Sequence, residues 1–177
     1  NKGGDRGIYK TVNGGKTWDK ILYIDEHTGF NEIHMDPRNS DVLYAASHQR
    51  RRHVYTYVGG GPGSGLHKST NGGKTWKKIN KGLPSVEIGR IGMDISDADP
   101  EVIYAIVEAS DRKGGFYKST DRGESWKKQS SKVTSGNYYQ EIFADPVDVD
   151  VVYIMDTYMG VTVDGGKNFK YVDEKYK

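Results

Sequence analysis

Apolar residues along this chain fall in short runs separated by polar turns, and no stretch keeps an i, i+3, i+4, i+7 apolar face for long. The runs recur in kind. "FNEIHM" (30–35), "RIGMDI" (90–95) and "YQEIFA" (139–144) are each followed by an Asp/Pro/Asn turn and then by "VLYAAS", "VIYAIV" or "VVYIMD". β-Branched and aromatic residues dominate these second runs, as in strands. A third run, "GLHKS" or "GFYKS", and a fourth, "TWKKI" or "SWKKQ", flank a turn that is written four times: "YKTVNGGKTWDKI" from Tyr9, "HKSTNGGKTWKKI" from His67, "YKSTDRGESWKKQ" from Tyr117 and "VTVDGGKNFKYV" from Val161. The pattern predicts units of four short antiparallel strands.

The repeat is unequal in an informative way. The aromatics that close the turns, Trp18, Trp76, Trp126 and Phe169, follow one another at 58, 50 and 43 residues. From each of the first three to the tyrosine of the next second strand (Tyr44, Tyr104, Tyr153) the distance is nearly constant, at 26, 28 and 27 residues. From those tyrosines to Ser69, Ser119 and Thr162, which open the next turn, it is 25, 15 and 9. Length variation therefore sits between the second and third strands. Four-stranded units of this size describe the blades of an all-β propeller. The expected division is a half blade over 1–22 and blades over 23–80, 81–130 and 131–177. Three and a half blades cannot close a ring and remove its edges, so the remainder of the propeller is expected from the same longer chain or from other chains.

Each position of the turn has a physical task. Asn13, Asn71, Asp121 and Asp164 can accept backbone N–H groups two residues on, as Asx turns do. Gly15, Gly73, Gly123 and Gly166 can take positive φ, and the hydroxyls of Thr11, Ser69, Ser119 and Thr162 can bond back to the loop. Thr17, Thr75 and Ser125 precede the aromatic, which is expected to plug between neighbouring sheets. There is no GxxxxGK[ST] and no following helix, so the "GGK" triplets are not a phosphate loop.

This turn resembles the Asp box, or BNR repeat, of sialidase-like and sortilin-like β-propellers. The chain as a whole is similar to large bacterial glycosyl-hydrolase-like BNR-repeat proteins. Three boxes match fully. The fourth departs, with Asn168 and Phe169 in place of Thr/Ser-Trp, and with Tyr158 where Gly7, Gly65 and Gly115 stand. The resemblance implies boxes on the rim as scaffold, a secreted, periplasmic or cell-surface protein, and a functional face opposite the boxes. It implies no site by itself, since the box occurs in enzymes and receptors alike. The sialidase set of three separated arginines, a tyrosine with a glutamate and an aspartic acid has no match here, nor do the two aspartates of xyloglucanase-like relatives.

Composition narrows the field further. With 177 residues, 23 Gly, 13 Tyr, 5 Pro and no Cys, the chain suits short strands and tight turns and has neither disulfides nor thiolate chemistry. Net charge is +2 with acids and bases interspersed, which gives no general nucleic-acid surface. No apolar run reaches the ~20 residues of a membrane span. The Asp-rich first turns lack the Gly and distal Glu of a calcium loop, and the five histidines lack paired metal spacing, so no metal or other cofactor is expected. Two places could carry function. The longest variable loop holds Arg50, Arg51, Arg52, His53, Tyr55 and Tyr57, suited to an acidic group on a protein, peptide or glycan. If this stretch is a strand, Arg51 and Arg52 point to opposite sides. Glu32 and Glu141 occupy equivalent first-strand positions, with Gly92 between them in the series. As carboxylates facing one channel they are weak candidates for a glycosidase acid–base pair. The reading is a non-catalytic binding and scaffold segment; the alternative is a glycoside hydrolase fragment with an incomplete site.

Overall fold

The computed structural model describes residues 3–172; residues 1–2 and 173–177, the outer ends of the first and last expected units, lie outside the described residues. β1 (Ile8–Lys10) and β2 (Asp19–Leu22) form a two-stranded antiparallel sheet. β3 (Thr28–Asp36) pairs with β4 (Asn39–Gln49), the longest strand. The chain then rises into a separate hairpin of β5 (Arg51–His53) and β6 (Thr56–Val58). It returns as β7 (Gly65–Ser69) and β8 (Lys77–Lys78), completing a sheet in the order β3-β4-β7-β8. β9 (Ile88–Ile95), β10 (Ile103–Ala109), β11 (Gly115–Ser119) and β12 (Lys127–Ser130) repeat the arrangement, as do β13 (Glu141–Ala144), β14 (Val152–Met155), β15 (Gly160–Thr162) and β16 (Lys170–Tyr171). The one helical element among the described residues is a single 3-10 turn, Ser110–Arg112. These sheets are blades of a partial β-propeller, with the first strands β3, β9 and β13 side by side at its centre.

The core lies between sheets. Tyr44, Ala46, Leu66 and Ile79 of one blade enclose Ile91, Met93 and Ile95 of the next. Tyr104, Ile106 and Phe116 do the same for Ile142, with Phe169 packed edge-on to Phe116 at 5.1 Å. The boxes sit on the rim beside the first turns: the amides of Gly72, Arg122 and Gly165 donate to the carbonyls of Asp41, Glu101 and Asp150. On the opposite face the loops between second and third strands meet the links between blades, through Gly61 N–H to the Ile88 carbonyl and Ser110 N–H to the Glu87 carbonyl.

Within each box the polar division of labour differs from the expected one. The hydroxyl takes the near amide: Asn71 N–H reaches Ser69 Oγ at 3.3 Å and Gly73 N–H reaches it at 2.9 Å. The Asx oxygen takes an amide four residues on, not two: Thr17 to Asn13, Thr75 to Asn71, Ser125 to Asp121 and Asn168 to Asp164 at 2.9–3.0 Å. The hydroxyl is the better placed acceptor for the tight part of the loop, which frees Asx Oδ1 to span the whole turn.

The closing aromatics also differ from expectation. Trp126 is 5% exposed and donates Nε1–H to the Ile79 carbonyl of the preceding blade at 2.8 Å. Trp76 is only half-buried, and Trp18 is 58% exposed. Both donate instead to a glycine carbonyl of their own box, Gly73 and Gly15. Trp126 packs backwards onto a complete preceding blade, whereas the described residues place no blade before Trp18.

Candidate functional site

The loop between β4 and β7 places the predicted arginine-rich stretch on the face opposite the boxes. β5 and β6 pair Arg51 with Val58, Arg52 with Tyr57 and His53 with Thr56. Every residue from 51 to 58 is exposed, Tyr55 at 86%. The tip is ordered by its own rings: His53 and Tyr55 stack at 5.6 Å with planes 8° apart. At the base, the Arg50 guanidinium lies 5.7 Å from the Tyr57 ring centre, and its amide is tied to the His27 carbonyl. The hairpin is thus a projecting, cationic and aromatic surface anchored at Arg50. A cleft of about 140 Å³ at its root is lined by His27, Gln49, Arg50, Arg51 and Val58.

Sequence reasoning missed two arginines that belong with this end of the molecule. His48, under the hairpin, donates Nε2–H to the Gly59 carbonyl at 3.0 Å. Burial holds its pKa below the ordinary value despite that bond, and the positive charges of Arg50, Arg90 and Arg6 push the same way. Positive charge from three separate chain segments therefore acts on His48. No motif links Arg6, Arg50 and Arg90 along the sequence; Arg50 stands in the arginine run of the long loop, whereas Arg6 and Arg90 are single arginines far from it.

The first-strand carboxylates have different partners. Glu32 Oε2 lies 3.3 Å from His34 Nε2, and Asp94 Oδ1 lies 3.4 Å from His34 Nδ1. Burial disfavours the charged ring, but the bonds from Asp94 and Glu32 outweigh it and raise the His34 pKa to about 9. Asp94 Oδ2 also accepts the Ala144 amide at 2.8 Å, so one charged chain runs from β3 through β9 to β13. Glu141 is instead paired with Arg90 at 3.4 Å and is half exposed. Glu32 and Glu141, the two carboxylates expected at equivalent positions, thus have different partners, His34 and Arg90. Gly92 breaks the repeat for a steric reason, since the Gln140 carbonyl occupies the space a Cβ would need. Gln140 itself sits fully buried at φ 130°, held by Thr134 Oγ1 on its Oε1 and by its Nε2 donating to the Ile106 carbonyl.

A buried Ser47–His67 contact at 3.0 Å has the look of a nucleophile and base. Ser47 is fully enclosed and also bonds the carbonyls of Gly63 and Gly65. Burial, with Lys78 nearby, lowers the His67 pKa to about 4. The pair pins the start of β7 to β4. No group of three or more His, Cys, Asp or Glu with metal-binding geometry occurs among the described residues, and no helix is long and apolar enough to cross a membrane.

Comparison with known proteins agrees with the geometry of the rim. The family profile described as BNR/Asp-box repeat matches residues 67–78 and 117–128. No curated protein matches by sequence. Among solved structures, the chain is similar to the Niastella koreensis GH74 enzyme, with a TM-score of 0.65 and 18% identity over 96% of this chain. It is also similar to the GH74 xyloglucanase from Xanthomonas campestris, with a TM-score of 0.64 and 16% identity over 96% of this chain. In both cases it spans 27% of the solved chain. These likenesses are of fold: the chain carries BNR/Asp-box repeats and has the fold of a partial β-propeller, similar to those of the two GH74 proteins.

Proposed function

We propose that this segment is a non-catalytic ligand-presenting part of a secreted Asp-box propeller, binding through the loop face at hairpin β5–β6. The observation that carries the reading is the hairpin itself. Eight consecutive exposed residues, 51–58, include two arginines, a histidine and two tyrosines on a rigid blade, and function gathers on loops held by rigid scaffolds. Its chemistry suits an acidic group on a protein, peptide or glycan, through bidentate guanidinium contacts and ring stacking. The test uses poly-glutamate and polygalacturonate as probes. Arg50, Arg51 and Arg52 replaced together by Ala should weaken both by roughly tenfold or more, with salt-sensitive binding in the parent and an unchanged melting temperature. Equal binding by parent and variant would overturn it.

One observation favours the alternative, an incomplete glycoside hydrolase site. Glu32 and Asp94, from neighbouring blades, meet at His34 where the first strands converge. Cleavage of xyloglucan that disappears in Glu32→Gln would establish that reading instead.

A further inference from the structure

The fourth unit breaks the repeat at two positions that the other three keep. Four residues ahead of the box hydroxyl stand Gly7, Gly65 and Gly115, and two residues after the closing aromatic stand Lys20, Lys78 and Lys128. The two positions meet at the loop-face end of the third and fourth strands. Each lysine pairs with the residue two beyond its glycine: Lys20 with Tyr9, Lys78 with His67 and Lys128 with Tyr117. The lysine stem lies across the glycine, since a Cβ on Gly65 would sit 2.6 Å from Lys78 Cε and one on Gly115 2.5 Å from Lys128 Cε. The ammonium then closes on the neighbouring loop, at the carbonyls of Gly4, Pro62 and Gly114. In three units, therefore, a Gly–Lys pair is a clasp over the start of the third strand.

In the fourth unit both members are tyrosine. Tyr158 stands at the glycine position and Tyr171 at the lysine position, and the register is kept: Tyr171 pairs with Gly160, two beyond Tyr158. The clasp is replaced by two rings that meet edge to face, 6.3 Å apart with planes at 74°. They are 67% and 53% exposed. Lys132, in the link that follows β12, sets its Nζ 4.8 Å from the Tyr171 ring centre and donates to the Tyr171 hydroxyl at 3.3 Å. That contact puts the rings at the junction with the preceding blade, so their exposure is not that of the last sheet's outer flank. It also makes the Tyr171 oxygen an acceptor, which leaves the phenolic hydrogen to donate elsewhere.

We infer that Tyr158 and Tyr171 form a second binding site on the loop face, one that takes a pyranose ring of an uncharged glycan. The C–H face of the sugar lies on the open ring of Tyr158, and Tyr171, fixed by Lys132, donates its hydroxyl to a sugar hydroxyl. An exposed aromatic face with a directed polar tip beside it fits a ligand that is apolar across its faces and hydroxylated around its rim. An acidic group is the poorer fit, because the one ammonium seen at the rings is already engaged with Tyr171. The site does not rest on the hairpin reading: β5–β6 belongs to the blade of β3, two blades earlier, and its chemistry selects acids.

Affinity electrophoresis in gels containing hydroxyethylcellulose or galactomannan, both uncharged, reads the site. The parent should be retarded in at least one of them. Tyr158→Gly combined with Tyr171→Lys rebuilds the clasp that three units already hold, so the fold has room for it. This double variant should lose roughly tenfold or more in affinity, with an unchanged melting temperature. Tyr171→Phe keeps the ring and removes the hydroxyl, and should lose part of the affinity. Should the double variant melt early, Tyr158→Ser measures the same loss of the stacking face. Neither polymer carries an acid for the hairpin arginines, so failure here and failure of the hairpin reading are separate results. No retardation of the parent in either gel, or equal retardation of parent and double variant, overturns the proposal. Dimers of the parent that the double variant abolishes would assign the rings to a protein contact and overturn it as well.

Discussion

The boxes at 11–18 and 119–126 are the same motif in two settings. Their internal bonds are nearly identical: Gly15 N–H to Thr11 Oγ1 is 2.9 Å and Gly123 N–H to Ser119 Oγ is 2.8 Å, while Thr17 and Ser125 amides reach their Asx oxygens at 3.0 and 2.9 Å. Their tryptophans could hardly differ more, Trp18 being 58% exposed and Trp126 5%. The box therefore builds itself from local hydrogen bonds, whereas its aromatic acquires a place only when a complete blade stands before it. The turn is a local property of the sequence, and the plug is a property of the ring.

The sharpest way to break this comparison is to delete both rings. Trp126→Ala should cost about 3–5 kcal/mol, the usual loss for a buried aromatic, together with the bond to Ile79. Trp18→Ala should cost less than about 0.5 kcal/mol, as exposed substitutions do. Urea melts of the two variants measure the difference. Equal losses would mean that the box, and not the neighbouring blade, carries the energy.

A second contrast concerns the turn's second central position. Gly14, Gly72 and Gly165 hold φ near 70° at no steric cost, but the third box places Arg122 there at φ 58°. A non-glycine residue in this region costs of order 1–2 kcal/mol. The compensation is Asp36, whose carboxylate is fully buried between the blades and meets Arg122 Nη2 at 2.7 Å and Arg38 Nε at 3.4 Å. Burial opposes the charge, but the Arg38 amide and the two guanidinium groups outweigh it and hold Asp36 below its ordinary pKa. Asp36→Ala should destabilise by about 1–3 kcal/mol, discounted because Arg122 keeps some water. Arg122→Gly should cost less, because it relieves the backbone while it breaks the pair. Since the folded pKa is depressed, the Asp36 contribution is present above about pH 4 and is lost as pH falls through the folded value. An acid titration of stability that is unchanged by Asp36→Ala would remove the clip.

How much of this was legible in the sequence follows the same division. Tyr44, Tyr104 and Tyr153 mark second strands because each sits in a β-branched run, and the observed registers pair them with His34, Asp94 and Phe143 as the repeat implies. The hairpin at 51–58 was readable as a variable loop with strand-like residues. Hidden from the sequence was whatever depends on a neighbouring blade: the charge of Arg6, Arg50 and Arg90 acting on His48, and the pairing of Glu141 with Arg90. Trp18 and Trp126 look alike as letters because burial is decided some distance away along the chain. The strain at Arg122 was visible only as a missing glycine, with nothing local to say what offset it.

The last prediction sets a partly buried histidine, His34, against a buried one, His67. His34 lies between carboxylates at the channel, whereas His67 lies beneath Phe30 and Ser47 with Lys78 as its charged neighbour. The His34 pKa is raised to about 9, so its contribution is full below the ordinary 6.5 and is lost as pH rises through 9. The His67 pKa is lowered to about 4, so the folded state resists the proton that the unfolded chain takes up; stability is full above 6.5 and falls as pH drops toward 4. Together they predict a stability maximum near pH 6.5, with opposite limbs assigned to different residues. His34→Gln should flatten the alkaline limb, an effect of order 1 kcal/mol after allowing for the water that reaches the ring, and leave the acid limb intact. His67→Gln should reduce the acid limb between pH 6.5 and 4, to which His48 with its lowered pKa also contributes, and leave the alkaline one. Melts from pH 4 to 9.5 on the parent and both variants read this directly. An alkaline limb that survives His34→Gln would show that the chain from Glu32 through His34 to Asp94 does not hold the proton, and that the first strands are joined at the channel by packing alone.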